Sequence, residues 1–321
     1  FKVFLMAAAL NEAVVSTSQK IDCENGKYRV GGRNIHDHKK YQKLTPAEII
    51  KYSSNIGSAK IGKMLERKAF YSYLRDFGFG QQTGIDLPGE AVGLLRAPNR
   101  WFEADLANIS FGQGVSVTPI QLATAVSAIA NGGNLMEPYV VERVVDSQGQ
   151  ISQQNRPRVV RKVIAHDVAQ TVTRMMEMTT EDGGTATHAR VPGFRVAGKT
   201  GTAQKVDAVT GTYSVDKRVA SFVGFLPAED PKLVMLVSID EPYKVVYGGL
   251  TAAPVFSRIA AQAMQYLKVQ PSEAITAEDT LPSLDQIFVE PTAPKRPLEQ
   301  TVVNSDFSGG PQMPNFDGLS Y

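Results

Sequence analysis

Apolar side chains spaced three and four residues apart predict several helices in the first half of the chain. Residues 3–10 form a continuous apolar run, which is typical of a helix buried in a core. Residues 45–48 (Thr-Pro-Ala-Glu) have the sequence of a capping box, with proline at the first helical position, and predict a helix that continues through Tyr52 and onward. Residues 118–121 (Thr-Pro-Ile-Gln) predict a second capped helix, which stops at the Asn-Gly-Gly of residues 131–133.

Two later segments also have helical periodicity. Residues 165–180 predict a third helix, and residues 251–267 predict a closing helix. The spacing of apolar residues in the closing helix predicts a buried face made of four side chains: Val255, Ile259, Ala263 and Met264.

Between these two helices the pattern changes to short apolar or alternating runs that are rich in β-branched residues. Residues 194–203, 219–226 and 233–239 predict strands, and the segments 207–216 and 227–232 between them have the composition of turns. Three such strands suit an antiparallel meander. Helices gathered before three antiparallel strands, with a final helix after them, predict an α+β fold in which a helical cluster lies beside the sheet.

Composition agrees with an ordinary globular protein and argues against several functions. Hydrophobic residues make up 43% of the 321-residue chain, charged residues 21%, and the net charge is +2, without the basic excess that binds nucleic acid. The single cysteine, Cys23, excludes an intrachain disulfide and a multi-cysteine metal site. His36 and His38 have one suitable spacing but no third ligand, so the sequence favours a solvated loop and predicts neither metal nor cofactor.

The ends of the chain carry their own signals. Residues 268–321 are rich in proline with little periodicity, which predicts a linker or tail. Residues 3–10 fall well short of the roughly 20 apolar residues that cross a bilayer. Because the chain begins without methionine and inside an apolar helical pattern, we expect further sequence upstream.

Four residues inside the first predicted strand could carry chemistry. Lys199, Thr200, Gly201 and Thr202 follow Gly198 directly. Glycine weakens a strand, and a common reason to keep one is the close approach of another backbone. An extended peptide could therefore lie along the strand edge, where a cation and hydroxyl groups would meet its carboxylate. A Lys-Thr-Gly triplet is also common in turns, so the triplet alone does not decide the function.

A second polar signal is the triplet Ser53, Ser54 and Asn55. Such residues favour helix ends because their side chains compete for backbone hydrogen bonds, so a helix break or cap explains the triplet as well as a site does. In a site, Ser53 would relay a proton and Asn55 would donate to a substrate amide. Lys2 means little as a single residue. It gains meaning only if a residue three positions earlier shares its helix face.

These three signals belong to one motif set, namely serine-x-x-lysine, serine-x-asparagine and Lys-Thr-Gly. The chain resembles a class B penicillin-binding protein, a peptidoglycan D,D-transpeptidase of the division, elongation or sporulation type. The resemblance covers residues 1–267. Further segments similar to the family occur in the family order, at residues 51–57, 111–114, 118–123, 183–186, 197–204, 247–249 and 252–256.

The resemblance implies a fold and a set of site residues. The fold would be that of penicillin-binding proteins and serine β-lactamases, an antiparallel sheet flanked by helices with an all-helical subdomain. Lys2 would be the base, with a pKa lowered by burial and by the nearby charge of Lys199. The implied catalytic residues are Lys2, Ser53, Asn55 and Lys199, and the implied substrate-binding residues are Thr200, Gly201 and Thr202.

The family pattern also implies where the nucleophile lies. A serine would stand three positions before Lys2, just upstream of Phe1, so the chain as given is expected to be inactive. The restored serine would attack a D-Ala-D-Ala stem peptide, and an amine from a neighbouring stem would resolve the acyl-enzyme into a cross-link. β-Lactams would acylate the same serine.

The resemblance further implies an organisation and a location. Residues 1–267 would be the transpeptidase domain without its N-terminal part, 268–310 a linker, and 311–321 the start of a truncated PASTA domain. We expect an enzyme at the extracytoplasmic face of the bacterial cytoplasmic membrane, anchored by an N-terminal segment absent from the chain. Its partners would be stem peptides, β-lactams, a glycosyltransferase, and divisome or elongasome proteins.

Two alternatives stay open on the sequence alone. A serine β-lactamase uses the same motifs but would release hydrolysed penicillin rapidly, whereas a transpeptidase would keep a persistent adduct. A non-catalytic penicillin-binding or scaffold module would have no need of all four catalytic residues, although the missing serine is compatible with it.

Overall fold

The computed structural model of the chain describes residues 1–206 and 212–275. Within them the chain forms eight α-helices: α1 (Lys2–Asn11), α2 (Pro46–Lys51), α3 (Asn55–Leu65), α4 (Arg67–Asp76), α5 (Glu103–Phe111), α6 (Pro119–Ala130), α7 (His166–Glu177) and α8 (Gly248–Tyr266). The same residues contain eleven strands: β1 (Ile21–Asp22), β2 (Lys27–Val30), β3 (Arg33–His36), β4 (Lys43–Leu44), β5 (Asn134–Met136), β6 (Arg143–Val145), β7 (Ile151–Gln154), β8 (Val159–Lys162), β9 (Ala197–Val206), β10 (Tyr213–Leu226) and β11 (Leu233–Asp240).

The main sheet is the predicted antiparallel meander. Its strand order is β11-β10-β9, which leaves β9 at an edge. Alternate residues of β10 point into two different cores, because side chains alternate across a strand. Phe225 belongs to the core shared with most of the helices, while Phe222 packs against Phe256 of α8 with ring centroids 4.7 Å apart. The α+β fold is therefore confirmed.

Helix α1 is the centre of the helical cluster. Every residue from Lys2 to Ala9 is buried, and α1 contacts five other helices, α2, α3, α4, α5 and α7. This confirms the core helix predicted from the apolar run at residues 3–10. The first turn of α1 is thus fixed on all sides, which holds Lys2 in one place.

Cap signals located helix starts well. Thr45 and Thr118 both complete capping boxes, at the starts of α2 and α6, and α6 ends at Ala130 with Asn131 as its C-cap, where the stop was predicted. The prediction that the first of these helices continues through Tyr52 is wrong. Helix α2 ends at Lys51, because the chain turns at Ser53 and starts a new helix.

The buried face predicted for the closing helix is partly wrong. Met264 is buried, but Ile259 is 47% exposed. The side chains that face the sheet are smaller or lie one position away, and they are Ala252, Ala253, Phe256, Ala260 and Met264. The small alanine side chains let α8 lie close to the sheet. The prediction, based on the spacing of larger apolar residues, did not include Ala252, Ala253 and Ala260.

Four two-stranded ribbons had no counterpart in the sequence prediction: β1–β4, β2–β3, β5–β8 and β6–β7. Their strands are two to four residues long, too short for a clear alternating pattern. Of the predicted turn at 207–216, residues 207–211 lie outside the described part, and β10 already begins at Tyr213. The predicted PASTA start and most of the predicted linker also lie outside the described residues.

Candidate active site

Lys2 lies in the first turn of α1 and its side chain is 8% exposed. Its Nζ donates a hydrogen bond to Oδ1 of Asn55 over 2.9 Å and stands 5.8 Å from the centre of the Phe111 ring. The amine is therefore held between α1, the start of α3 and the end of α5. Two residues that are 53 positions apart in the sequence meet here.

The Ser53-Ser54-Asn55 triplet forms a helix cap, and this cap presents Asn55 to Lys2. Ser53 has a positive φ of 58°, a conformation that costs energy for a residue other than glycine. The Oγ of Ser54 accepts from the amide of Gly57 and caps α3. Asn55 is the first residue of α3, and its Nδ2 donates to the carbonyl oxygen of His36 over 3.1 Å. The two interpretations of the triplet are therefore compatible.

The Lys-Thr-Gly-Thr segment lies on edge strand β9. Lys199 is 7% exposed, and its Nζ is 3.3 Å from both the carbonyl oxygen and Oγ1 of Thr200. Thr200 in turn donates to Oγ1 of Thr185 over 3.4 Å. The Oγ1 of Thr202 accepts a hydrogen bond of 3.2 Å from the amide of Gly248, the first residue of α8. The polar side chains on the edge of β9 therefore lie next to the N-terminus of α8.

The two lysines of the site are close enough to influence each other. Burial lowers the pKa of Lys2 from its ordinary value to about 8, and the carboxylate of Asp37 partly opposes that shift. Burial and the charge of Lys2 lower the pKa of Lys199 well below its ordinary value. At neutral pH the site therefore disfavours two simultaneous ammonium groups. This favours a neutral amine, which is the form that a lysine base requires.

Glycines near β9 are needed for packing within the protein itself. A Cβ at Gly198 would lie 2.2 Å from the ring of Phe222, and one at Gly201 would lie 2.4 Å from Oγ of Ser221. A Cβ at Gly248 would lie 2.5 Å from the carbonyl oxygen of Gly201, so glycine lets α8 begin against the strand. The close approach expected from glycines 198 and 201 is thus already explained by neighbouring side chains.

Comparisons with known proteins decide the family. Residues 1–261 match the family model described as "Penicillin binding protein transpeptidase domain". The chain belongs to this family.

Among curated relatives, it is 38% identical to "Stage V sporulation protein D" of Bacillus subtilis, over 84% of the chain and 42% of that protein. It is 32% identical to "Probable peptidoglycan D,D-transpeptidase PenA" of Neisseria gonorrhoeae, over 86% of the chain and 45% of that protein. The chain therefore spans less than half the length of these relatives. The resemblance to class B penicillin-binding proteins is confirmed.

Solved structures agree with the fold. The transpeptidase domain of penicillin-binding protein 3 from Burkholderia pseudomallei has a TM-score of 0.77 and 33% identity, and the match covers 85% of this chain and 80% of that one. Penicillin-binding protein 3 from Mycobacterium tuberculosis, in complex with aztreonam, has a TM-score of 0.77 and 31% identity, over 88% of this chain and 64% of that one. The penicillin-binding transpeptidase fold is confirmed.

One residue that the sequence did not single out organises the site of this penicillin-binding domain. Asp37 follows β3, and its Oδ2 accepts from the hydroxyl of Ser54 over 2.6 Å. Its Oδ1 accepts from the amides of Asn55 and Ile56 over 2.5 and 3.1 Å. The carboxylate therefore fixes the backbone that presents Asn55 to Lys2. Asp37 is a positioning residue, and no signal in the sequence near it gave its distant partners.

We expect Asp37→Ala to reduce the free energy of unfolding by about 2–3 kcal/mol, because two amides at the start of α3 and one hydroxyl lose a charged acceptor. Urea unfolding would measure this. Loss of the nearby negative charge should also lower the pKa of Lys2 further. The acidic limb of the pH profile for acylation should then move to lower pH. The control is Asp182→Ala, an almost fully exposed carboxylate, which should leave the unfolding midpoint unchanged. Equal midpoints for both variants would contradict the positioning role.

Proposed function

We propose that the chain is the catalytic part of a peptidoglycan D,D-transpeptidase that cross-links stem peptides through a serine acyl-enzyme. The observation that carries the proposal is the hydrogen bond between Lys2 and Asn55, with the buried amine of Lys199 close enough for the charge of Lys2 to lower its pKa. Three motifs from distant parts of the sequence supply these groups. Membership of the penicillin-binding transpeptidase family supports the same reaction.

In the proposed first step, a serine three positions before Lys2 attacks the carbonyl carbon between the last two D-alanines of a donor stem peptide. Lys2 accepts the hydroxyl proton as the C–O bond forms, because a serine hydroxyl is a weak nucleophile at neutral pH. Burial favours the neutral amine that this step needs. The amide of Thr202 and that of the serine would stabilise the developing oxyanion.

The proposed leaving group is the terminal D-alanine. Ser53 would pass a proton to its nitrogen as the C–N bond breaks, and Asn55 would hold the donor peptide's amide. The terminal carboxylate would be bound by Lys199 and by the hydroxyls of Thr200 and Thr202, which are gathered on the edge of β9. An amine from a second stem peptide would then attack the ester, release the serine and form the cross-link.

The wider organisation is part of the same proposal. Residues 1–267 would form the transpeptidase domain, 268–310 a linker and 311–321 the start of a PASTA domain. The protein would act outside the cytoplasm, tethered by an upstream anchor and working with a glycosyltransferase and other morphogenetic proteins. Among the described residues, no helix combines the length and the apolar character needed to span a bilayer.

The test is intact mass spectrometry after incubation with benzylpenicillin. The protein extended upstream from its native gene would be compared with the 321-residue chain. We expect one stable adduct on the extended form alone, mapped to a serine three residues before Lys2. Rapid release of hydrolysed penicillin would instead identify a serine β-lactamase. No adduct on either form would move the function to a non-catalytic scaffold.

A further inference from the structure

A cluster of basic side chains lies beside the candidate site without acidic partners. In the β2–β3 ribbon, Lys27 and Arg29 alternate with the more buried Tyr28 and Val30, so the two cations share the outward face. His36 is directly opposite Lys27 across the ribbon and is also exposed. The exposed Lys39 and Lys40 pack their backbone against Gly26, next to Lys27. We call Lys27, Arg29, His36, Lys39 and Lys40 the basic face.

The carboxylates near the basic face are engaged elsewhere. Glu24 forms an ion pair with Lys60 at 2.7 Å. The carboxylate of Asp22 accepts from the amide of Glu24, and in the β1–β4 pairing Asp22 lies opposite Lys43. Asp37 is occupied by the cap of α3. In the part of the chain that the structure describes, no ion pair involves any side chain of the basic face. The lysine and arginine side chains of the face repel one another until an anion binds.

The basic face leads directly into the candidate active site. The backbone carbonyl of His36, a member of the face, accepts the hydrogen bond from Asn55. His38, in the loop between His36 and Lys39, makes an edge contact with the ring of Tyr247 immediately before α8, at 6.0 Å between centroids. A polymer that lies across the basic face would therefore reach Asn55 on one side and the start of α8 on the other.

We propose that the basic face binds the carboxylates of an uncross-linked peptidoglycan strand and so holds stem peptides beside the candidate active site. This inference rests on the proposed transpeptidase function. A strand repeats its stem peptides along one glycan chain, and each stem ends in a carboxylate, so one molecule can contact the basic face and the candidate active site at once. Binding at the face raises the effective concentration of the remaining stems at the candidate active site.

The test measures binding of fluorescently labelled, soluble, uncross-linked strands to the 321-residue chain by anisotropy. Two quadruple variants are compared. The first, K27Q/R29Q/K39Q/K40Q, removes four charges from the basic face. The matched control, R143Q/R156Q/K162Q/K268Q, removes four exposed charges from other surfaces. The labelled strands are used in two forms, one with free stem carboxylates and one with those carboxylates amidated. Each titration is repeated at low and at high salt.

We expect the first variant to lose about tenfold in affinity for the carboxylate strands at low salt, and the control to bind as the unsubstituted chain does. Amidated strands should bind weakly to every form, and salt should weaken only the carboxylate interaction. Equal affinity of the two variants, equal binding of amidated strands, or no binding would overturn the proposal. So would preferential binding of a phosphodiester polymer such as teichoic acid, or of vesicles containing phosphatidylglycerol.

Failure here is separable from failure of the proposed function. Strand binding by the 321-residue chain needs no nucleophile, whereas the benzylpenicillin adduct on the upstream-extended protein needs no strand. An adduct with unchanged strand binding in the first variant would remove the basic-face proposal and keep the transpeptidase. Charge-dependent strand binding without an adduct would keep the face and remove the catalytic assignment.

Discussion

Lys2→Met in the upstream-extended protein is expected to slow acylation by benzylpenicillin by about 10²- to 10⁴-fold, the usual contribution of a positioned general base. Methionine keeps the length and the apolar stem of the side chain, so the buried turn of α1 should stay packed. It removes the amine that contacts Asn55 and lies near Lys199. Stopped-flow acylation kinetics would measure the rate constant.

The pH profile separates a base from a merely structural lysine. Burial lowers the pKa of Lys2 to about 8. Below that pH the amine is increasingly protonated and cannot accept the serine proton, so the acylation rate should fall about tenfold per pH unit on the acidic side. This limb should be absent in Lys2→Met. The control is Lys63→Met, an exposed lysine paired with Glu103, which should keep both rate and profile. An unchanged acidic limb in Lys2→Met would exclude Lys2 as the base.

Phe4→Ala is expected to reduce the free energy of unfolding by about 3–5 kcal/mol, the usual cost of truncating a buried phenylalanine. Its ring is fully buried, and its centroid lies 5.0 Å from those of both Phe77 and Phe79. Chemical denaturation of the 321-residue chain would measure the loss. The same substitution at Phe102, whose side chain is 80% exposed, should change stability by less than about 0.5 kcal/mol. Similar losses for the two variants would show that α1 does not anchor the core.

Several features of the fold could be predicted because they depend on local physical chemistry. Thr45 and Thr118 accept hydrogen bonds from backbone amides that would otherwise be unpaired at a helix start. Such a capping box needs only four consecutive residues, so it can be recognised in the sequence. The three strands of the meander each had enough β-branched residues to be recognised. The predicted β11 was correct to within one residue, whereas β9 lies three residues later than predicted and β10 begins six residues earlier. The buried α1 followed from an apolar run with no polar face.

Features that depend on distant contacts could not be predicted from the residues alone. The resemblance to a known family identified Lys2, Asn55 and Lys199, and the structure brings them together. Asp37 was missed because its partners, Ser54 and Asn55, are 17 and 18 positions away and its own surroundings contain only loop residues. The basic face was missed for a related reason. Its members look like scattered surface charge until the β2–β3 ribbon places three of them on one side.

The hydrogen bond from the amide of Gly248 to Thr202 has a consequence for the chemistry of the ligand. Since one lone pair of the Thr202 hydroxyl already accepts a hydrogen bond from the amide of Gly248, its own proton is free to point outward. Together with the ammonium or amine of Lys199 and the positive end of α8, this edge presents donors to whatever binds. A peptide carboxylate offers only acceptors to these donors, whereas a carboxamide replaces one acceptor oxygen by an NH₂ donor. We therefore expect a stem peptide that ends in a free carboxylate to bind this edge more tightly than one that ends in a carboxamide.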